Sequence, residues 1–289
     1  MPEEFNLRSK KYWQSLVWGL FTGLVSALGA FIFIGLMNFG TDLIWPDPPS
    51  WAPFSGSWTI VVIMTVTGLI VGFIHKYTPA AQLDVFEAVN EGYLDPKPVP
   101  SSLLASLISL IGGFSLGPEV PSGMLAAGFA TWLSERRSMG KDLTRTNVLS
   151  GVSAAYSGLF SSPFALLILM LESTHVQNII YYGTLFIIGL ASAVGFGLFY
   201  FLGGDTFSSL LGLIQPPDYD LRLWDIGFGI LFGILALPVI IIFGMIFKLL
   251  RTLVAPLNSR PIIRGTLGGF LLGLLGMALP ITLFLGTDG

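Results

Sequence analysis

Apolar residues run along this chain in blocks long enough to cross a lipid bilayer, and short polar punctuation separates them. Leu16 to Trp45 carries no charge before Asp42. It exceeds the ~20 residues that span hydrocarbon, so it predicts a tilted first helix. Pro46 to Ser57 reads as an interfacial turn, and Trp58 to Ile74 as a second span closed by His75 and Lys76. Ala80 to Pro100 is more polar and suits a short re-entrant piece plus a loop. Ser101 to Leu116 is apolar, breaks at Gly117-Pro118, and resumes from Glu119 to Trp132 before Glu135, Arg136 and Arg137. Thr146 to Phe160 is a helix rich in small residues that stops at Ser161-Ser162-Pro163. Phe164 to Leu171 is a short apolar helix ended by Glu172. Ile179 to Leu202, Leu223 to Leu250 and Ile262 to Leu279 are full spans, with Gly203 to Arg222 a polar loop.

Composition agrees with this pattern. Of 289 residues, 53% are hydrophobic and 11% charged, and the mean hydropathy is +0.77. A soluble domain carries about 25% charged residues, so the apolar excess must face lipid. The net charge of −3 and the lack of a basic run exclude a nucleic-acid partner. With no cysteine and only His75 and His175, neither a metal site nor a cofactor is expected. The start is no cleavable signal, because Met1 to Gln14 mixes acids and bases. Thirteen of the fourteen basic residues fall at alternate ends of the spans: Arg8, Lys10, Lys11, Lys76, Lys97, Arg136, Arg137, Lys141, Arg145, Lys248, Arg251, Arg260 and Arg264. Asp42, Asp47, Asp205, Asp218 and Asp220 lie opposite, with Arg222 the one base there. The positive-inside rule then puts the N-terminus in the cytoplasm of a multi-pass protein of the plasma membrane. No domain boundary interrupts residues 1–289, and no internal repeat is visible.

The candidate chemistry lies in the broken segments. Backbone N–H and C=O groups freed in hydrocarbon cost several kcal/mol each, so broken helices persist only where protein or a watery cavity surrounds them. A helix N-terminus there offers unpaired N–H donors and about half a positive charge, which suits an anion. Gly117-Pro118 fits such a start, because proline has no N–H to orphan in the first turn. Glu119 sits in that turn, where the dipole favours a carboxylate. Ser161-Ser162-Pro163 has the same form: a serine cap, a proline, a short apolar helix. A kink, or simple helix packing by Gly112-Gly113, would explain either segment alone. Glu119 and Glu172 shift the balance toward function, since ionisable groups at membrane depth are expensive. Another class of function, an intramembrane serine protease using Ser153 and His175, is suggested weakly by Gly151-Val-Ser153. Ala154 follows where a second glycine belongs, so packing accounts better for Ser153, and no enzyme activity is expected.

These residues resemble the CLC family of chloride channels and chloride/proton exchangers. Phe114-Ser115-Leu116-Gly117-Pro118 occupies the family's Gly-Arg-Glu-Gly-Pro position. Leu149 to Gly158 matches its small-residue helix. Ser162-Pro163-Phe164-Ala165, with the run to Leu171-Glu172, matches its Asn-Ala-Pro-Leu-Ala segment. The variant Ser-Leu-Gly-Pro-Glu is similar to a prokaryotic ion-transport branch, and Leu279-Pro-Ile-Thr-Leu-Phe-Leu-Gly286 resembles a segment early in the family's second half. The resemblance implies an all-α membrane fold, a bundle of tilted, broken and re-entrant helices in inverted repeats. Residues 1–204 would form the first repeat, and 205–289 the loop and first two helices of the second. It implies a homodimer in the bilayer, with an anion pathway, most simply for chloride, through Ser115, Leu116, Gly117, Pro118, Glu119, Ser161, Ser162 and Pro163. Glu172 would be a proton-handling or structural carboxylate.

The departures from the family pattern shape the functional expectation. Ala80-Ala-Gln-Leu-Asp-Val85 replaces the family's Gly-Ser-Gly-Ile-Pro, so its chloride-binding serine is missing, and Asp84 there would repel an anion. The gating glutamate falls on Leu116, and Ser173 follows Glu172 where exchangers carry a second glutamate. A passive channel is therefore expected, with proton-coupled exchange through Glu119 as the alternative. The family's second half also supplies a further helix start and a tyrosine. The expectation is that residues 1–289 hold an incomplete pore, as a fragment or as a half-protein that needs a partner subunit.

Overall fold

The computed structural model describes residues 9–45, 58–164, 168, 182–204 and 222–284. All regular structure among them is helical. α1 is Lys10–Ile44, started by Ser9, whose Oγ accepts the Lys11 N–H at 3.2 Å. It begins six residues before the apolar run, because this cap admits the charged turn Lys10-Lys11 to the helix. α2 is Trp58–Tyr77 and α3 is the short Val85–Glu91. α4 is Val99–Ile111, α5 Glu119–Arg136 and α6 Lys141–Leu159. α7 is Tyr182–Gly203, α8 Leu223–Val254 and α9 Pro261–Ala278. Five of these (α1, α2, α7, α8 and α9) are long and apolar enough to cross a membrane.

α4 and α5 form the re-entrant pair. At 1.5 Å per residue, the 13 residues of α4 rise about 20 Å, short of a ~30 Å hydrocarbon core. The start of α4 and the end of α5 are fixed at one level. There the Tyr93 hydroxyl donates to Glu135 Oε1 at 3.0 Å, and the Leu94 N–H donates to Thr131 Oγ1 at 3.2 Å. The chain thus enters on α4, breaks, and returns on α5. The N-termini of α1 and α6 share that level through Lys11 and Asp142, 3.6 Å apart. Arg137 beside the Trp18 ring adds a further tie.

The core joins α1, α5, α6 and α7 through small side chains. Ala27, Ala30, Ala126, Ala127, Ala130, Ala154, Ala155 and Ala191 are all fully buried. Small residues let helix backbones approach closely, which replaces the hydrophobic drive that lipid does not supply. The α2–α9 pair uses glycine in the same way. A methyl group on Gly68 would strike the Gly265 carbonyl, and one on Gly265 would strike that of Gly68. α8 stays exposed along its length among the described residues.

Candidate anion site at the helix break

The apolar run Ser101 to Leu116 is not one helix. α4 ends at Ile111, and Gly112 donates its N–H to the Ile108 carbonyl at 2.9 Å. Gly113 then takes φ +84, a conformation open to glycine but costly for L side chains. Its Cα lies under the Trp45 indole, where a Cβ would come within 2.9 Å of the ring. Trp45 Nε1–H donates to the Ile111 carbonyl at 2.9 Å. From the far end of the described chain, Phe284 donates its N–H to the Gly113 carbonyl at 3.2 Å. The freed carbonyls of the broken helix are thus satisfied by two aromatic residues remote in sequence, as a break in lipid requires.

Beyond the break, Ser115 and Leu116 are exposed, Leu116 by 49%. Gly117 is half-buried, Pro118 is buried, and Glu119 opens α5 half-buried. No side chain caps this helix. Pro121 has no N–H, and that of Ser122 donates to the Pro118 carbonyl at 3.0 Å. Glu119 and Val120 therefore present the unspent N–H groups of the first turn. The Glu119 carboxylate folds back over Gly117, so that a methyl there would collide with it.

Three elements converge on that turn. Gly123, one turn into α5, has no side chain. The Cβ it lacks would sit 2.6 Å from the Tyr156 hydroxyl and 2.6 Å from Val85. Val85 is the first residue of α3, and Tyr156 lies near the end of α6. Tyr156 is 5% exposed, and its hydroxyl lies within the electrostatic reach of Glu119. In the sequence, Tyr156 is one aromatic residue among the Gly, Ala and Ser of Leu149 to Gly158.

Asp84 is held away from an exterior ligand. Its Oδ1 accepts the Phe86 and Glu87 N–H groups of its own helix at 2.8 and 3.1 Å. The start of α3 is therefore capped internally. The preceding loop is pinned by buried Ser102, whose Oγ accepts the Ala81 N–H and donates to the Ala81 carbonyl, each at 3.0 Å.

Ser161, Ser162 and Pro163 follow directly on the end of α6. Ser161 takes φ 50, and the Ser162 N–H donates to the Ser157 carbonyl at 3.0 Å. The Pro163 carbonyl accepts from Ser192 Oγ of α7 at 2.7 Å. The Ile168 N–H donates to the Phe164 carbonyl at 2.9 Å, one helical turn after the proline. The rest of Phe164 to Leu171, Glu172 and His175 lie outside the described residues. Ser153 is fully buried in the α6 core.

The helix order, the re-entrant α4–α5 pair and the uncapped start of α5 define a helical membrane protein with broken helices. Residues 66–289 match the voltage gated chloride channel family, and the chain belongs to that family. It is 28% identical over 288 residues to protein YfeO of Salmonella paratyphi A, provisionally named an ion-transport protein, and equally to YfeO of Salmonella newport. Each match covers 93% of this chain and 66% of the relative, so the chain spans about two thirds of their length. Among solved structures, a slow cyanobacterial Cl−/H+ antiporter has the same fold, with a TM-score of 0.71 at 17% identity. That match covers 93% of this chain and 64% of the antiporter.

Proposed function

We propose that this protein carries chloride, or a similar small anion, passively across the plasma membrane, with the start of α5 as one wall of the pathway. The observation that carries this reading is the uncapped first turn of an 18-residue helix at a break within the membrane. Its Glu119 and Val120 N–H groups are the complement of an anion. Leu116 supports passive transport, because a leucine at the family's gating position cannot gate by taking a proton. The pathway runs past Ser115, Leu116, Gly117 and Pro118, and Ser161 to Pro163 support it from α6. The protein acts as a homodimer with its N-terminus in the cytoplasm. It is a transporter and not an enzyme, and needs no cofactor beyond the ion it moves.

A second reading, proton-coupled exchange, is favoured by one feature: the Glu119 carboxylate lies over Gly117 at the same helix start. Chloride and proton fluxes from reconstituted vesicles separate the two. Chloride release without accompanying proton movement, unchanged in Glu119→Gln, supports the channel. Proton movement that disappears in Glu119→Gln supports the exchanger. No chloride release would overturn both.

A further inference from the structure

We propose that the end of the bundle where α1, α5 and α6 meet binds the phosphate of an anionic phospholipid, held by Lys10, Arg136, Arg137 and Lys141. This goes beyond the transport reading and does not depend on it.

The bases are gathered by the fold. Arg136 and Arg137 close α5 and Lys141 opens α6, so the three stand within six residues across one turn. The Met139 N–H donates to the Ser134 carbonyl at 2.8 Å, which keeps that turn tight. The Lys11–Asp142 pair brings the start of α1, with Lys10, to the same place. The local carboxylates are already engaged: Asp142 faces Lys11, and Glu135 Oε1 accepts the Tyr93 hydroxyl. Among the described residues, Lys10, Arg136, Arg137 and Lys141 have no carboxylate partner. Arg145 belongs to another neighbourhood, since its stem packs against Gly92, one residue after Glu91. Like charges this close repel and destabilise the folded chain unless an anion lies among them.

Their depth points to lipid as the source of that anion. On a merely solvated face the two guanidinium groups would extend into water. Instead Arg137 lies over the Trp18 ring and Arg136 over the Trp132 ring, each 5.7 Å from the centroid. Trp18 is eight residues along α1 from Lys10, about 12 Å further into the bundle. Trp132 is exposed, as are Val17 and Phe21 on either side of Trp18. Tryptophan rings favour the headgroup level of a bilayer, so the guanidinium groups lie at the depth of lipid phosphates, with apolar side chains beside them for acyl chains. The planar fork of arginine matches a phosphate. A zwitterionic headgroup fits less well, because its ammonium needs a carboxylate or an open ring face. Both carboxylates are engaged, and arginine lies over both rings.

The test titrates the full-length protein in detergent with phosphatidylglycerol or phosphatidylcholine, counting bound lipid by native mass spectrometry. Wild type should bind phosphatidylglycerol about 10-fold or more tightly than phosphatidylcholine. The double variant Arg136→Gln, Arg137→Gln should lose phosphatidylglycerol affinity, about 5-fold for each base removed. The pair Lys248→Gln, Arg251→Gln removes the same charge from the exposed α8 and should behave as wild type. Should the arginine variant fail to fold, Lys10→Gln with Lys141→Gln must show the same loss. Equal binding of the two lipids by wild type would overturn the proposal. So would a preference kept in the folded variants at this site, or an equal loss in the α8 pair, which would reveal general charge attraction only. Inorganic phosphate that displaces phosphatidylglycerol at equal concentration would assign the site to a soluble anion and overturn it as well.

Discussion

The rings of Trp45 and Phe284 meet edge to face, 5.4 Å between centroids and 81° between planes, where Gly113 leaves α4. Trp45 is the residue after α1, and Phe284 follows the short turn Pro280–Thr282 beyond α9. The end of α1 and the end of the described chain therefore close over the break that shapes the candidate site. Trp45, Ile60, Met64 and Leu283 form a small separate core there, with Phe114 packed against it.

This clamp can be weighed by substitution. Trp45→Phe keeps an aromatic ring and removes the donor to Ile111, so it should cost about 1 kcal/mol, plus the penalty of an unpaired carbonyl. Trp45→Ala also removes a buried ring and should cost about 3–5 kcal/mol. Thermal unfolding in detergent should rank wild type, Trp45→Phe and Trp45→Ala in that order.

Backbone conformation and space can be separated at two glycines. Gly113 and Gly204 both have positive φ, +84 and +52, but Gly204 has nothing within 4 Å of its absent Cβ, whereas Gly113 faces Trp45. Gly204→Ala should cost about 1–2 kcal/mol from conformation alone. Gly113→Ala should cost more, through the clash with the indole. Equal losses in melting temperature would contradict this account of the break.

The α2–α9 contact should fail when its glycines are filled. Gly68→Leu and Gly265→Leu would force backbones apart at a point where no side chain can yield. Gly35→Leu on α1, with open space around it, is the matched control. Limited proteolysis should show α9 released in the first two variants and protected in the third.

How much of this was legible in the sequence follows from what each feature depends on. The spans were legible because hydrophobic length alone specifies a membrane helix, and α2, α7 and α9 lie within a few residues of expectation. The break was legible from Gly117-Pro118, but its length was not. Phe114 to Leu116 continue the apolar pattern and leave the helix only because Trp45 and Phe284 hold Gly113. α6 starts five residues earlier than its apolar pattern, because a charged turn, Lys141 to Arg145, opens it at the membrane edge. Asp84 was legible as a residue foreign to the family pattern. That it serves as a helix cap depends on where α3 begins. The close approach of Tyr156 to Gly123 could not be read, because the two residues lie on different helices.

Tyr93 provides a test of the tie between the start of α4 and the end of α5. Its hydroxyl donates to Glu135, and this bond, followed by burial and the charges of Glu135 and Asp95, raises its pKa above the usual 10.0. A raised pKa gives stability that is present below the ordinary tyrosine value and is lost as pH rises through the folded one. Wild type should therefore be more stable than Tyr93→Phe at pH 7 to 9 and lose that advantage as the pH rises above 10. A difference that does not change with pH would contradict the tie.

The most direct measurement is chloride efflux from vesicles containing the full-length protein, recorded with internal pH. The account predicts chloride release well above protein-free vesicles, with no matching proton movement and no change in Glu119→Gln. Chloride release no greater than that of empty vesicles would contradict it.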